Sequence, residues 1–169
     1  MGFSHCGNSE FGQSLAKITS DKSTDTLCHC DIPTLPLQYG TLFSLRYIRI
    51  GREIKVVSIA SWMVDADLDE SRIMREAVLE AAKQSDRRFA FLASGSLSHK
   101  ILPKEVVNDY LSKISDLFKG SVDQMVLGIW QNGQTQKFLD SLPEYARDCN
   151  GEGGMHDTVM LFGALGWAD

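Results

Sequence analysis

The sequence predicts an α/β fold in which helices flank a central, mainly parallel sheet. Two apolar runs, 54–60 and 88–94, predict strands, the first because of its β-branched residues. Between them, residues 67–84 carry apolar side chains at helical spacing among charges, which predicts an amphipathic helix. A strand, helix, strand order favours parallel pairing through a right-handed crossover, with helices packed on the sheet.

The segments around this unit predict further helices and one short strand. Asn8 and Ser9 can cap a helix at its first turn, and residues 20–26 read as a polar loop. The other predicted elements are a strand at 26–30, an extended proline-containing connection at 31–37, a buried helix at 39–50, and short helices at 103–118, 122–130, 135–142, 143–149 and 155–167. No repeat or linker divides the chain, so a single domain over 1–169 is expected.

Composition excludes several functional classes. With 169 residues, 43% of them hydrophobic and 23% charged, the chain has the profile of a globular domain. A net charge of -5 and 17 scattered Lys and Arg residues disfavour nucleic-acid binding. No apolar run is long enough to span a bilayer, and the first residues lack a secretory pattern, so a cytoplasmic protein without a membrane partner is expected. Four unevenly spaced cysteines fit reduced thiols.

His99 follows the second predicted strand, after the glycine and serine turn 94–98. In open α/β sheets ligands bind beyond the carboxyl ends of the strands. An imidazole changes charge near neutral pH, so a histidine in this position can act as a general acid or base. The alternative is that the serines and His99 only satisfy a polar turn.

The glycine-rich segment 151–157 contains a second group of candidate residues. Glu152 stands between two glycines, where its carboxylate can ligate a divalent metal ion. Alternatively, Glu152 is a helix N-terminal carboxylate, and this is the favoured interpretation of Asp157. His156 can be a ligand, a substrate contact or a structural residue. The cluster Cys28-His29-Cys30 lacks the two-residue gap typical of zinc ligands, so a structural role is favoured there.

Four ordered motifs carry a family resemblance. They are 37–42 (LQYGTL), 93–99 (ASGSLSH), 142–146 (LPEYA) and 151–160 (GEGGMHDTVM). In this order they resemble the class III extradiol ring-cleavage dioxygenases of the subunit-B type, over nearly the whole chain from about Gly7 onward. Four motifs in sequence are more specific than any one of them.

The resemblance implies a function. In this family a non-haem Fe(II) is held by two histidines and a glutamate, and Glu152 matches the glutamate. His99 matches the acid/base histidine, while Tyr39 and His156 match positions near the substrate. The implied reaction opens a catechol ring with O2. The expected substrate is 3,4-dihydroxyphenylacetate, the expected product is a hydroxymuconate semialdehyde, and the expected assembly is a homo-oligomer.

The two histidine ligands of the family precede the segment that this chain matches, and neither His5 nor His29 stands in a similar sequence. The chain is therefore expected to be a partial domain, with an incomplete sheet, that lacks the family's N-terminal segment and C-terminal end. The alternative is a non-catalytic dioxygenase-like subunit or an inactive fragment. A zinc hydrolase would need ligands that the sequence does not offer. Arg46 and Lys100 are candidates for pairing with a substrate carboxylate.

Overall fold

The computed structural model of the chain describes residues 7–22, 37–48, 54–60, 68–99, 102–110, 113 and 116–166. The helices of this part are α1 (Ser9–Lys22), α2 (Tyr39–Ile48), α3 (Leu68–Lys83), α4 (Leu117–Gln131), α5 (Thr135–Cys149) and α6 (His156–Ala164). Two short 3-10 helices occur as well, Val107–Tyr110 and Glu152–Met155. None of the helices described is long and apolar enough to cross a membrane.

The predicted central parallel sheet is wrong for the described residues, which form helices and no strands. Segments 54–60 and 88–96 contain no regular ladder. The first segment has one isolated parallel bridge, between Gly7 and Val56, and an isolated antiparallel bridge between Ser98 and Gly151 lies just beyond the second. The physical reason is that segments rich in β-branched and apolar residues form strands only where they pack on a buried surface and pair with another strand. Neither segment contains a fully buried residue, so within the described structure that surface is not formed.

Helix α6 lies between the two hydrophobic clusters of the described structure. On one side, Val159 packs with α4 and α5 in a cluster that includes Val126, Ile129, Phe138, Leu142, Tyr145, Cys149 and Met155. On the other side, Met160 packs with α1 and α3 in a cluster that includes Leu15, Ile18, Met74, Ala77, Val78 and Ala81. A helix with apolar side chains on more than one face can be buried on each of them. The turn that precedes α6 is therefore fixed to the core of the domain.

Helix α5 is one continuous helix, although two were predicted with a break before Pro143. Proline removes one backbone N–H and disfavours a helix interior. The buried face nevertheless continues across it, because Phe138, Leu142, Tyr145 and Cys149 recur every three or four residues. Burial of this face outweighs the missing hydrogen bond.

Other predicted helices differ in their bounds. Those at the N-terminus, at 39–50 and at 67–84 are confirmed as α1, α2 and α3, although α1 continues to Lys22 through the start of the predicted polar loop. The predicted helix at 103–118 is wrong over 103–110, where turns and a 3-10 helix occur. Helix α4 begins at Leu117, because the Asp116 side chain accepts hydrogen bonds from the backbone N–H groups of Phe118 and Lys119. The predicted strand at 26–30 lies outside the described residues.

Candidate active site

Two segments that are distant in sequence pair to form the framework of the site. The backbone N–H of His99 donates to the carbonyl of Asn150 at 3.0 Å, and that of Glu152 donates to the carbonyl of Ser96 at 3.2 Å. Between these bonds lies the antiparallel bridge from Ser98 to Gly151. This pairing brings together His99 and Glu152, the acid/base and metal-ligand candidates of the sequence.

The turn that carries Glu152 needs an unusual backbone. Gly153 and Gly154 have φ values of 57° and 63°, and Met155 follows with a φ of 65°. Glycine adopts this left-handed region without the steric cost that a Cβ brings. Met155 bears that cost, and its side chain is buried in the α4, α5 and α6 cluster. Core packing thus holds the turn immediately after Glu152.

Helix α2 brings Tyr39 to the turn that carries Glu152. A Cβ on Gly40 would lie 3.0 Å from the Ser94 hydroxyl oxygen, so the start of α2 packs closely on the turn 94–98. Tyr39 is 71% exposed, and its hydroxyl donates a hydrogen bond to Oε1 of Glu152 at 2.9 Å. That bond is the main reason why the pKa of Tyr39 is raised, because the phenol must keep its proton to donate it.

The carboxylate of Glu152 is favoured in its ionised form. Partial burial opposes ionisation, but hydrogen bonds from Ser96 and Tyr39 and the electrostatic interaction with His99 outweigh it. The pKa of Glu152 is therefore lowered. An ionised carboxylate beside an imidazole is a combination that can bind a cation and exchange protons with a bound ligand.

Asp157 on α6 packs against the turn 94–98. Its carboxylate lies so close to Gly95 that a Cβ there would overlap its oxygens. Asp157 is buried, and burial raises its pKa; the nearby charge of Glu152 acts in the same direction, against a hydrogen bond from the backbone of Thr158. Gly95 is thus needed for close approach of the loop to α6.

Asp123 on α4 also binds the turn 94–98, through Ser98. This residue was not predicted from the sequence. Its carboxylate accepts hydrogen bonds from the Ser98 hydroxyl at 2.6 Å, the Ser98 backbone N–H at 3.2 Å and the Tyr145 hydroxyl at 2.7 Å. Burial and the Asp123 hydrogen bond raise the pKa of Tyr145 far above its ordinary value. The sequence offers only an acidic residue in the second turn of α4, ahead of its apolar run 125–130.

His156 lies between the turn that carries Glu152 and helix α3. It is 3% exposed, and its Nδ1 is 2.6 Å from the hydroxyl oxygen of Ser71 on α3. The structure thus brings Tyr39, His99 and Glu152 together and places His156 at the interface of α3 and α6. Of the candidates for carboxylate recognition, Arg46 is exposed on α2, whereas Lys100 lies outside the described residues.

The donors in this region do not complete a metal site. Within the described ranges, no group of three or more His, Cys, Asp or Glu side chains is placed to hold a metal ion. Glu152 offers one carboxylate, and Tyr39 already donates to one of its oxygens. A single carboxylate does not hold Fe(II) firmly without further ligands. Cys28, His29 and Cys30 lie outside the described residues.

Comparison with known protein families identifies the class. The family described as the catalytic LigB subunit of aromatic ring-opening dioxygenase matches residues 1–169. The chain therefore belongs to this family, and the resemblance identified from the four motifs is confirmed.

A curated relative is similar over almost all of the chain. It is the 3,4-dihydroxyphenylacetate 2,3-dioxygenase of Escherichia coli, which is 38% identical over 167 residues. The match covers 99% of this chain and 60% of the relative. The chain thus spans about 60% of the length of that curated relative.

Proposed function

We propose that the chain contributes the site of an extradiol ring-opening reaction, in which a catechol reacts with O2 in the presence of Fe(II). The proposed substrate is 3,4-dihydroxyphenylacetate, and the product is the corresponding hydroxymuconate semialdehyde. Membership of the ring-opening dioxygenase family and the name of the similar relative support this proposal. Both oxygen atoms of O2 enter the product, so no other oxidant or reductant is consumed.

The observation that carries the proposal is the pairing of the turn 94–99 with the turn 150–152. The pairing puts a general acid/base candidate, His99, within electrostatic range of an ionised carboxylate, Glu152. A reaction that removes protons from two phenolic hydroxyls and later returns protons to oxygen needs such a pair.

His99 is the proposed proton carrier. In its neutral form, the imidazole accepts a proton from a catechol hydroxyl, and the resulting charge is stabilised by the nearby carboxylate of Glu152. The imidazolium then returns the proton to oxygen as the ring opens, so His99 ends in its starting state. The hydrogen bond from the His99 backbone N–H to the Asn150 carbonyl fixes the backbone position from which the imidazole extends.

Fe(II) is the proposed cofactor, and Glu152 is the ligand that the described residues would contribute. The phenol of Tyr39 orients one oxygen of this carboxylate through their 2.9 Å hydrogen bond. Because Tyr39 is largely exposed, its ring is also accessible to a bound aromatic molecule. A substrate contact by His156, a homo-oligomeric state and a cytoplasmic location remain predictions.

The test uses the full chain, incubated with Fe(II) under anaerobic conditions and then mixed with 3,4-dihydroxyphenylacetate in air. We expect a yellow ring-opened product, lost in Glu152→Gln and retained in Glu144→Gln. Glu144 is a suitable control because it is an exposed glutamate on α5. Failure of the wild-type chain to form the product, or equal activity of the two variants, would contradict the proposal.

A further inference from the structure

A cleft opens beside His99 at the start of α4. Its volume is about 330 Å³, and its lining includes His99, Leu102, Tyr110, Lys113, Lys119 and Asp123. We call it the α4 cleft. Its volume is at the lower end of the range typical of small-molecule sites. It therefore has room for one small aromatic ring with a short side arm.

The positive charges in the α4 cleft are available, whereas its negative charges are engaged. In the described part of the chain, neither Lys113 nor Lys119 forms an ion pair. By contrast, Asp116 accepts two backbone hydrogen bonds at the start of α4, at 3.0 and 3.3 Å. Asp123 accepts three hydrogen bonds from Ser98 and Tyr145. Both carboxylates are thus oriented toward protein donors, whereas the two ammonium groups are left to meet a charged ligand.

The remaining surface of the α4 cleft suits a ring. Leu102 and the partly exposed ring of Tyr110 supply apolar area, on which an aromatic ligand can pack. His99 lines the same cleft, and its backbone is bonded to the segment that carries Glu152. A ligand that fills the cleft thus reaches from the lysines to the proposed acid/base residue.

We propose that the α4 cleft is the specificity site for the carboxylate arm of an acidic catechol, with Lys119 as the main cation and Lys113 as the second. This inference rests on the proposed function, because it takes the ring hydroxyls to face His99. Lys119 is favoured over Lys113 because it belongs to the regular helix α4, on the first turn that Asp116 caps. A lysine ammonium anchored in this way attracts a carboxylate without a fixed bidentate geometry.

The experiment measures equilibrium binding by calorimetry to the full chain without added metal, so that no turnover is needed. The probes are 3,4-dihydroxyphenylacetate and the uncharged 4-methylcatechol. We expect Lys119→Met to weaken binding of the acid by about tenfold, the effect of losing one charged contact. Binding of 4-methylcatechol should not change. Lys119→Arg should restore part of the loss, and Lys113→Met should have a smaller effect.

Lys137→Met is the matched control, because Lys137 is an exposed lysine on α5 that does not line the cleft. The proposal is overturned if Lys119→Met affects both probes equally, if it affects neither, or if the wild-type chain does not bind the acid. Failure of the proposed function has a different signature: the acid binds with the expected dependence on Lys119, but Fe(II) and air give no ring-opened product.

Discussion

Two tyrosine–carboxylate pairs flank the turn that carries His99, and they differ in burial. Tyr145 is 4% exposed and donates to Asp123 at 2.7 Å, whereas Tyr39 is 71% exposed and donates to Glu152 at 2.9 Å. The Tyr145 bond is half-buried, so breaking it is costly because the buried tyrosine hydroxyl has little access to water in place of Asp123. An exposed one is easily replaced by solvent or by a ligand.

The difference separates a structural carboxylate from a reactive one. Asp123 joins α4 and α5 to Ser98 through buried or half-buried donors. Glu152 lies in a glycine-rich turn beside an exposed phenol, where a ligand can reach it. We therefore expect changes at Asp123 to affect the free energy of unfolding first, and changes at Glu152 to affect ligand binding first.

The largest effect on stability is expected from Asp123→Ala. It leaves the Tyr145 hydroxyl and the Ser98 donors without their acceptor, so the free energy of unfolding should fall by about 3 kcal/mol. Urea denaturation followed by circular dichroism measures it. Asp140→Ala, at an exposed position on α5, should change stability little. Equal losses in both variants would show that Asp123 is not a structural anchor.

A smaller loss is expected from Gly95→Ala. The new methyl group would overlap the buried carboxylate of Asp157, so the turn 94–98 must move away from α6. A cost of about 2 kcal/mol is typical of such overpacking. Gly128→Ala is the control, since a Cβ there meets nothing within 4 Å inside α4, and it should raise stability. An unchanged unfolding midpoint in Gly95→Ala would disprove the close approach.

The two tyrosines provide the direct comparison. Tyr145→Phe should lower the free energy of unfolding by about 1.5 kcal/mol, because a half-buried hydrogen bond to a carboxylate is lost. Tyr39→Phe should leave stability nearly unchanged, because its bond is exposed. It should instead lower kcat/KM for the catechol by about tenfold, equivalent to one hydrogen bond to a charged group. A reversed pattern would assign the roles the other way round.

The smallest expected effect is a change in pH dependence at Asp157. Burial raises its pKa, so its contribution to stability is present below the ordinary carboxylate pKa and is lost as pH rises through the raised value. Asp157→Asn removes this loss. The stability of the variant relative to wild type should therefore increase as the pH rises from about 4, the ordinary carboxylate pKa, through the raised pKa of Asp157. A difference that is constant over this range would contradict the burial of an ionisable group there.

The sequence predicted the helices with a continuous apolar stripe, and their burial explains why. Helices α1 and α3 have local patterns that fix one buried face. The sheet could not be predicted in the same way, because strand pairing depends on partners that are distant in sequence. Residues 54–60 have the composition of a strand, yet only Val56 forms a bridge.

The candidate site, like the fold, was predicted from the sequence only in part. Tyr39, His99 and Glu152 were predicted from motifs, and the structure brings them together. Asp123, Gly95 and the α4 cleft were not predicted. Their roles come from contacts across the fold, such as the hydrogen bond from Tyr145 to Asp123, which joins residues 22 positions apart. Single-sequence patterns carry no record of such contacts.

The most direct test of the roles of Glu152 and Asp123 is an anaerobic Fe(II) titration of the wild-type chain, Glu152→Gln and Asp123→Asn. The unfolding midpoint of each protein is measured in parallel. We predict that the wild-type chain binds Fe(II) only weakly, because Glu152 is the one ligand that the described residues contribute. Glu152→Gln should lose this binding and keep the wild-type midpoint, while Asp123→Asn should keep the binding and have a lower midpoint. Fe(II) binding by Glu152→Gln as tight as that of the wild-type chain would contradict the role of Glu152 as a metal ligand.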